Sequence, residues 1–373
     1  MTRIAAHTNS KALVMLGTSP DARGGIASVV AGYQDAALFE RWDVRYLTTH
    51  VQAGAFRKLA VASKAWCSLF RMLVCGDVAL IHIHMSSRAS TWRKFMFVVL
   101  AVAFTTPFVV HMHGGNYVDF YNKECGRFGR SLIRWVLHRA AHVIVLSAGW
   151  QDQIRRIEPR ARTLVIHNFV PLPTTAAMEH AMDSTEPASL LFLGRLTREK
   201  GAFDLVRAAG KLNFDFRLIM GGGGDPGPLY ALADSLGIKD KVAFPGWISG
   251  NDKARALSEA EIFVLPSHFE GVPVAILEAM AWGVPIVATG VGGIPEVVGP
   301  AEGVLVLVGD VDALAAALNG LLANPSMRAT MGKAARSRVA ATYSREAVIP
   351  HIDQLWSSYG VRRAEFSPNN GKA

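Results

Sequence analysis

Glu270 and Glu278 stand eight residues apart in HFEGVPVAILEAMAWGVPIVATGVGGIPEVV, residues 268–298, a mostly apolar stretch that also carries Glu296. Burying a carboxylate is costly unless something hydrogen-bonds it. These acids therefore face either solvent or a cavity that holds a polar ligand. A vicinal diol donating two hydrogen bonds to each carboxylate is one chemistry that would use them. Ile262–Leu265 reads as a strand, PSHFEGVP as the loop beyond it, and Val274–Trp282 as a helix opened by Pro273. Glu270 then lies in the capping loop and Glu278 in mid-helix, so both can line one cleft mouth at different depths. Taken singly, Glu278 also reads as a solvent-facing helix residue and Glu270 as a capping acid. Glu296 falls in the first turn of the next helix, where the helix dipole suits a carboxylate, and it is read as structural.

Cations complement these acids. LLFLGRLTREKGAFDLV places Arg195 and Lys200 around a turn that opens a helix. Two cations at a helix N-terminus oppose its positive dipole, and an anion such as a diphosphate between them removes the conflict. The alternative is a pair of solvated surface cations. In GTSPDARGGIASVV, Gly24 and Gly25 open a helix and could present free N–H groups to a phosphate, or could serve tight packing alone. The loop matches neither a P-loop nor a dinucleotide fingerprint. IHIHMSSR puts His82 and His84 on one strand face, and VVHMHG does the same for His111 and His113. Two such pairs could hold a metal or could be core histidines.

The elements that must position these residues alternate. Apolar runs at Ala12–Leu16, Val78–Ile83, Phe108–His111, Val143–Leu146 and Leu164–Ile166 suit parallel strands covered on both faces. Leu190–Leu193, Phe216–Met220, Val242–Phe244, Ile262–Leu265, Pro285–Ala288 and Gly303–Leu307 repeat the pattern. Helical stretches fill the gaps: Ile26–Leu38, Arg57–Val74, Ser131–Arg139, Ala202–Lys211, Leu229–Leu236, Asp252–Glu259 and Val274–Trp282. This alternation implies an α/β protein with two doubly wound sheets, and 373 residues exceed one core. The polar, aperiodic PLPTTAAMEHAMDSTEPA, Pro171–Ala188, reads as the linker. The domains expected are 1–172, 186–347, and a C-terminal segment 348–373 comprising a helix that crosses back to the first domain and a disordered tail.

The net charge of +9 is uneven. Between Arg57 and Lys94, seven cations face Asp77 alone. Such a half suggests a membrane surface, a phosphate-bearing substrate or nucleic acid, or else an ordinary solvated face. Interleaved Trp66, Phe70, Trp92, Phe95 and Phe97 fit an interfacial helix better than a nucleic-acid platform. No spanning helix is expected, since Phe95–Val110 is broken by Thr105, Thr106 and Pro107 and reads as a core helix followed by a strand. The N-terminus lacks the apolar stretch of a signal peptide. Cys67, Cys75 and Cys125 show no ligand spacing and read as reduced thiols in a cytoplasmic protein.

The stretch EGVPVAILEAMAWGVPIVATGVGGIPEVV resembles the donor-binding signature of retaining glycosyltransferases of family 4, and FLGRLTREKG resembles their diphosphate-binding turn. The likeness is strongest from about Ser189 to Arg345. It implies a GT-B fold, two Rossmann-like domains facing each other across a cleft: an N-terminal acceptor-binding domain and a C-terminal nucleotide-sugar-binding one. Glu278 would hold ribose hydroxyls. Glu270 would hold donor-sugar hydroxyls, assisted by the N–H groups of Gly271 and Val272. Gly194, Arg195 and Lys200 would meet the diphosphate, Gly24 and Gly25 would approach it, and Gly246 and Trp247 would lie at the base. His113 matches the family's cleft histidine and would bond the donor sugar near the anomeric carbon. His84, Ser86 and Arg88 are assigned to the acceptor side, and His82 and His111 to the structure.

The resemblance also implies retention without a protein nucleophile, the departing phosphate taking the acceptor's proton. His113, Arg195, Lys200 and Glu270 form the catalytic set, with no cofactor and no metal required. HIHMSSRASTWRK resembles bacterial enzymes acting on lipid-linked saccharides for surface polysaccharide. The partners expected are a GDP-mannose or UDP-sugar donor, a lipid-linked saccharide acceptor and the anionic inner membrane surface, with no nucleic acid. A nucleotide-sugar 2-epimerase and a non-catalytic member of a polysaccharide complex are the rival readings.

Overall fold

A computed structural model describes residues 11–20, 22, 24–174, 187–361 and 363. Most of the expected linker Pro171–Ala188, the first ten residues and the end of the tail lie outside them. The chain divides into two compact units, one drawn from Met1–Ile166 with Ile349–Ala373, the other from His167–Val348.

The first unit carries a six-stranded sheet in the order β2-β1-β3-β4-β5-β6. Its strands are β1 (Ala12–Thr18), β2 (Val44–His50), β3 (Val78–Met85), β4 (Phe108–Met112), β5 (His142–Val145) and β6 (Thr163–Val165), all parallel. All eight residues of β3 are buried, as expected for a strand covered on both faces. β2 has no counterpart among the sequence candidates. It is the edge strand, VRYLTTH is mostly polar, and only Thr49 is buried, so hydrophobicity could not mark it. Four helices matter here: α1 (Gly25–Asp35), α2 (Leu38–Arg41), α3 (Ala55–Val74) and α4 (Ala89–Ala103). α4 followed by β4 is the helix and strand expected of the long apolar run.

The second unit repeats the architecture in the order β12-β11-β10-β7-β8-β9. These are β7 (Ala188–Leu193), β8 (Phe216–Gly221), β9 (Val242–Gly246), β10 (Ile262–Leu265), β11 (Ile286–Thr289) and β12 (Gly303–Val306), again parallel. Helices Ala148–Ile157, Val311–Leu322 and Pro325–Thr342 were not among the sequence candidates, yet each opens on a side-chain cap. Ser147 Oγ accepts from the Trp150 N–H, Asp310 Oδ1 from Ala313, and Asn324 Oδ1 from Met327, at 3.2, 2.9 and 3.0 Å.

Helix Arg345–Ser357 ends in the first unit. There the Asp353 carboxylate accepts from Trp42 Nε1 and Arg41 Nη2, both at 2.8 Å, and Trp356 is fully buried. No helix among the described residues is long and apolar enough to cross a membrane.

Candidate active site

In parallel α/β sheets, ligands bind beyond the carboxyl ends of the strands. In the second unit that edge gathers the loops after β7, β9 and β10, where the donor-binding residues were expected. Two glycines fix the geometry. Gly201, at φ 70°, follows Lys200, and a Cβ there would lie 2.0 Å from the Pro266 carbonyl oxygen. Gly292, at φ 56°, would meet the Glu270 carbonyl oxygen at 1.8 Å. Both need a positive φ and close backbone approach, which only glycine supplies. The loops after β7 and β10 thus lock together, and the His268 N–H donates to the Glu199 carbonyl at 2.8 Å.

Within that lock the Lys200 ammonium donates to Glu270 Oε1, and the Ser267 hydroxyl donates to the same oxygen at 2.8 Å. The Thr289 hydroxyl at the end of β11 in turn donates to the Ser267 carbonyl. Glu270 is 8 % exposed, so this pair resolves the cost of its burial. The sequence reading placed Lys200 on the diphosphate and Glu270 on the sugar as separate contacts; the structure joins them. The spot between Arg195 and Lys200 is not symmetric either. The Arg195 side chain is exposed, with no ion-pair partner among the described residues, while Lys200 is paired.

Glu278 is half-buried on helix Val274–Ala281 and accepts from Lys253 Nζ at 2.6 Å. Lys253 and Ser267 escaped the sequence reading. Lys253 belongs to a polar helix and Ser267 to the loop that carries Glu270, and only the carboxylates they serve could have pointed to them. The N–H groups of Gly271 and Val272 enter no hydrogen bond among the described residues, while the Val272 carbonyl accepts from Asn168 Nδ2 at 3.0 Å. Gly194 sits where a Cβ on Gly222 would strike its carbonyl oxygen at 1.6 Å. Gly246 closes β9 at φ 77°, and Trp247 beside it is partly exposed.

The first unit brings four histidines into one stack at the ends of β3 and β4. His84 pairs with His111 across the strands. His84 Nδ1 lies 2.8 Å from His113 Nε2, and His82 Nε2 lies 3.2 Å from His111 Nδ1. Burial drives His82 and His113 down to about 3, and His84 and His111 well below 6.5, so the rings are neutral. Trp356 Nε1, which can only donate, bonds His82 Nδ1 at 3.1 Å. His82 therefore carries its proton on Nε2 and gives that hydrogen bond to His111. A ring nitrogen from each of His82, His84 and His111 falls within a 4.8 Å cluster, close enough to hold a metal ion, although both nitrogens of His82 already have partners.

One acceptor-side assignment needs correction. His84 is fully buried under Tyr33 and lines no open surface, because β3 is central and covered on both faces; it supports His113 instead. Arg88 is held by Glu124 through a bidentate pair at 2.5 and 2.7 Å. Ser86 is half-buried at the end of β3 and its N–H donates to Ser90 Oγ at 3.1 Å. Gly24 and Gly25 are exposed at the start of α1. Cys67, Cys75 and Cys125 are free thiols.

Two parallel sheets of this build, with acids and cations on the carboxyl edge of the second, define the GT-B class. The glycosyl transferase 4-like domain matches residues 12–168 and the glycosyl transferases group 1 domain matches residues 179–338. The chain belongs to this glycosyltransferase family. Among curated relatives, the lipopolysaccharide core biosynthesis glycosyltransferase LpsE of Rhizobium meliloti is 29 % identical over 217 residues, 57 % of this chain and 61 % of that protein. The D-inositol 3-phosphate glycosyltransferase of Mycobacterium marinum is 35 % identical over 228 residues, 57 % of this chain and 48 % of the relative. The match thus spans less than two thirds of either relative. Among solved structures, sucrose-phosphate synthase from Thermosynechococcus elongatus shares the fold at a TM-score of 0.78 and 23 % identity, covering 93 % of this chain and 98 % of that one. Anabaena HepE in complex with UDP and glucose gives 0.72 and 19 %, covering 93 % and 100 %.

Proposed function

We propose that this protein is a retaining hexosyltransferase that moves a sugar from a nucleotide donor to a lipid-linked saccharide during bacterial surface polysaccharide or glycolipid synthesis. The observation that carries the reading is the Lys200–Glu270 pair on the carboxyl edge of the second sheet, in whose first loop stands Arg195, without an ion-pair partner among the described residues. A nucleotide sugar replaces the internal pairing: its diphosphate takes Lys200 and Arg195, and its sugar hydroxyls take Glu270 and the N–H groups of Gly271 and Val272. Glu278 holds the ribose. Charge grows on the departing phosphate in the transition state, and the two cations stabilise it there more than in the ground state. That phosphate accepts the acceptor's proton, and Arg195 and Lys200 supply the charge that a metal would otherwise bring. His113, neutral and oriented by His84, keeps the role of sugar hydrogen-bond partner that the resemblance implies.

The acceptor's lipid fits α3, where Phe56, Leu59, Phe70 and Val74 are exposed among Arg57, Lys58, Lys64 and Arg71. An apolar and basic face of this kind suits the anionic inner membrane surface, with the protein peripheral to it. Release of nucleoside diphosphate from UDP- and GDP-sugars, with and without a short lipid-linked saccharide, tests the reading. HepE is solved in complex with UDP and glucose, and the family resemblance implies GDP-mannose or a UDP-sugar. Thermal shift with each nucleotide separates them, and failure of both to stabilise the fold overturns the proposal. Dialysis against a chelator leaves turnover unchanged. Phe56→Ser/Leu59→Ser abolishes co-sedimentation with anionic vesicles at low salt.

A further inference from the structure

His268 has no part in the reading above. It stands two residues before Glu270, in the loop beyond β10, and its side chain is 37 % exposed. Its Nε2 lies 3.0 Å from Asp204 Oδ2, and because a carboxylate only accepts, that nitrogen carries the proton. Asp204 lies in the first turn of helix Ala202–Ala209, which begins two residues after Lys200, and its other oxygen accepts from Arg207 Nη1 at 3.1 Å. His268 also donates its backbone N–H to the Glu199 carbonyl, and Gly201 packs on the Pro266 carbonyl. The loops after β7 and β10 are therefore tied along a short line of contacts. Two of these ties are side-chain bridges among the described residues, Lys200 to Glu270 and Asp204 to His268. A ligand treats the two differently. In the reading above, a donor takes Lys200 and Glu270 away from each other. The bridge at His268 uses neither group, so it outlasts that exchange. A partly exposed bridge of this kind contributes little to global stability, and its weight lies in the geometry it fixes.

We propose that His268, through Asp204, is a positioning residue that holds the Lys200 and Glu270 loops in register once a nucleotide sugar has displaced the Lys200–Glu270 pair. The role rests on the transferase reading above. Without a donor the loops are tied twice, and loss of His268 loosens them little. With the donor bound, the His268–Asp204 bridge is the side-chain tie that remains. Its loss lets the Lys200 ammonium and the Glu270 carboxylate drift from the phosphate and the sugar, and rate depends steeply on such placement. The ribose contact of Glu278 lies on the helix beyond the bridged loop, so the loss falls on kcat more than on donor KM.

Kinetics of His268→Ala and His268→Gln test the role, because glutamine places an amide donor close to where Nε2 stood. His268→Ala lowers kcat roughly tenfold, with donor KM changed less than about threefold and the donor-free Tm within about two degrees of wild type. His268→Gln recovers most of the rate. Asp204→Ala gives the same loss, and combining it with His268→Ala adds nothing further. Wild-type kcat in His268→Ala, or a loss of rate that glutamine does not recover, overturns the role. Hydrogen exchange of the residue 268 N–H, whose acceptor is the Glu199 carbonyl, reads the loops without any donor. In the Lys200→Met background, adding His268→Ala speeds that exchange roughly tenfold, the loss of the remaining bridge, and adding His268→Gln does not. Equal exchange with and without His268→Ala in that background overturns the bridge, whether or not the protein turns over a donor. A wild-type protein that shows the exchange difference but releases no nucleoside diphosphate from any donor overturns the transferase reading alone.

Discussion

Lys200→Met removes the ammonium from a pair whose side chains are 24 % and 9 % exposed. Among the described residues Glu270 then keeps only the Ser267 hydroxyl as a side-chain donor. A buried charged acceptor left short of its partner costs about 1–3 kcal/mol. Glu270→Gln alone strands Lys200 in the same way. With both changed, neither charge is left behind, so the double variant loses about 1–2 kcal/mol less stability than the two single losses added. Turnover follows another rule, because it depends on the charge that develops on the leaving group. Lys200→Met lowers it roughly several hundredfold, a barrier increase of about 3.5 kcal/mol, and Glu270→Gln does not restore it. Urea melts of the four proteins give the stability cycle, and nucleoside diphosphate release gives the rates. Strictly additive stability losses would refute the coupling, and turnover within about twofold of wild type would refute the leaving-group role.

Glu278→Gln raises the donor KM roughly tenfold with kcat nearly unchanged, because a ribose contact binds ground state and transition state alike; a selective fall in kcat counts against it. Trp356→Phe removes the indole N–H that orders His82 and His111, and with a loss of about 2 kcal/mol it lowers Tm by several degrees in calorimetry. Stability also falls as pH drops from 7 to 5. The folded values of the four histidines lie below 6.5, so the unfolded chain takes up protons in this range that the buried rings do not. Stability is therefore full above about 6.5, and it declines toward the folded values near 3 for His82 and His113; a Tm independent of pH across this range contradicts the burial of the stack.

The strands that sequence revealed are those whose physics is local. β3, β4, β10 and β11 are apolar because both faces are covered, and a run of Val, Ile and Leu reports this directly. β2 is legible only through its neighbour β1, since an edge strand with polar alternation satisfies no local rule. The candidate site divides the same way. Glu270 and Glu278 stand out because a carboxylate in an apolar run contradicts its surroundings. Lys253, a cation in a polar helix, contradicts nothing, and its pairing with Glu278 is a tertiary fact. The histidines are the sharpest case. Strand periodicity correctly put His82 with His84 and His111 with His113, but which ring faces solvent depends on Tyr33 from α1 and Trp356, 274 residues beyond His82 in the chain. The sequence assigns His84 to the acceptor side of the cleft, yet it is fully buried, and the groups that cover it come from elements that carry no mark of their destination. Lys94 makes the same point in reverse. A lysine in the apolar stretch of α4 contradicts its surroundings as plainly as Glu270 does, and its partner Thr49 sits on the one strand that the pattern hid.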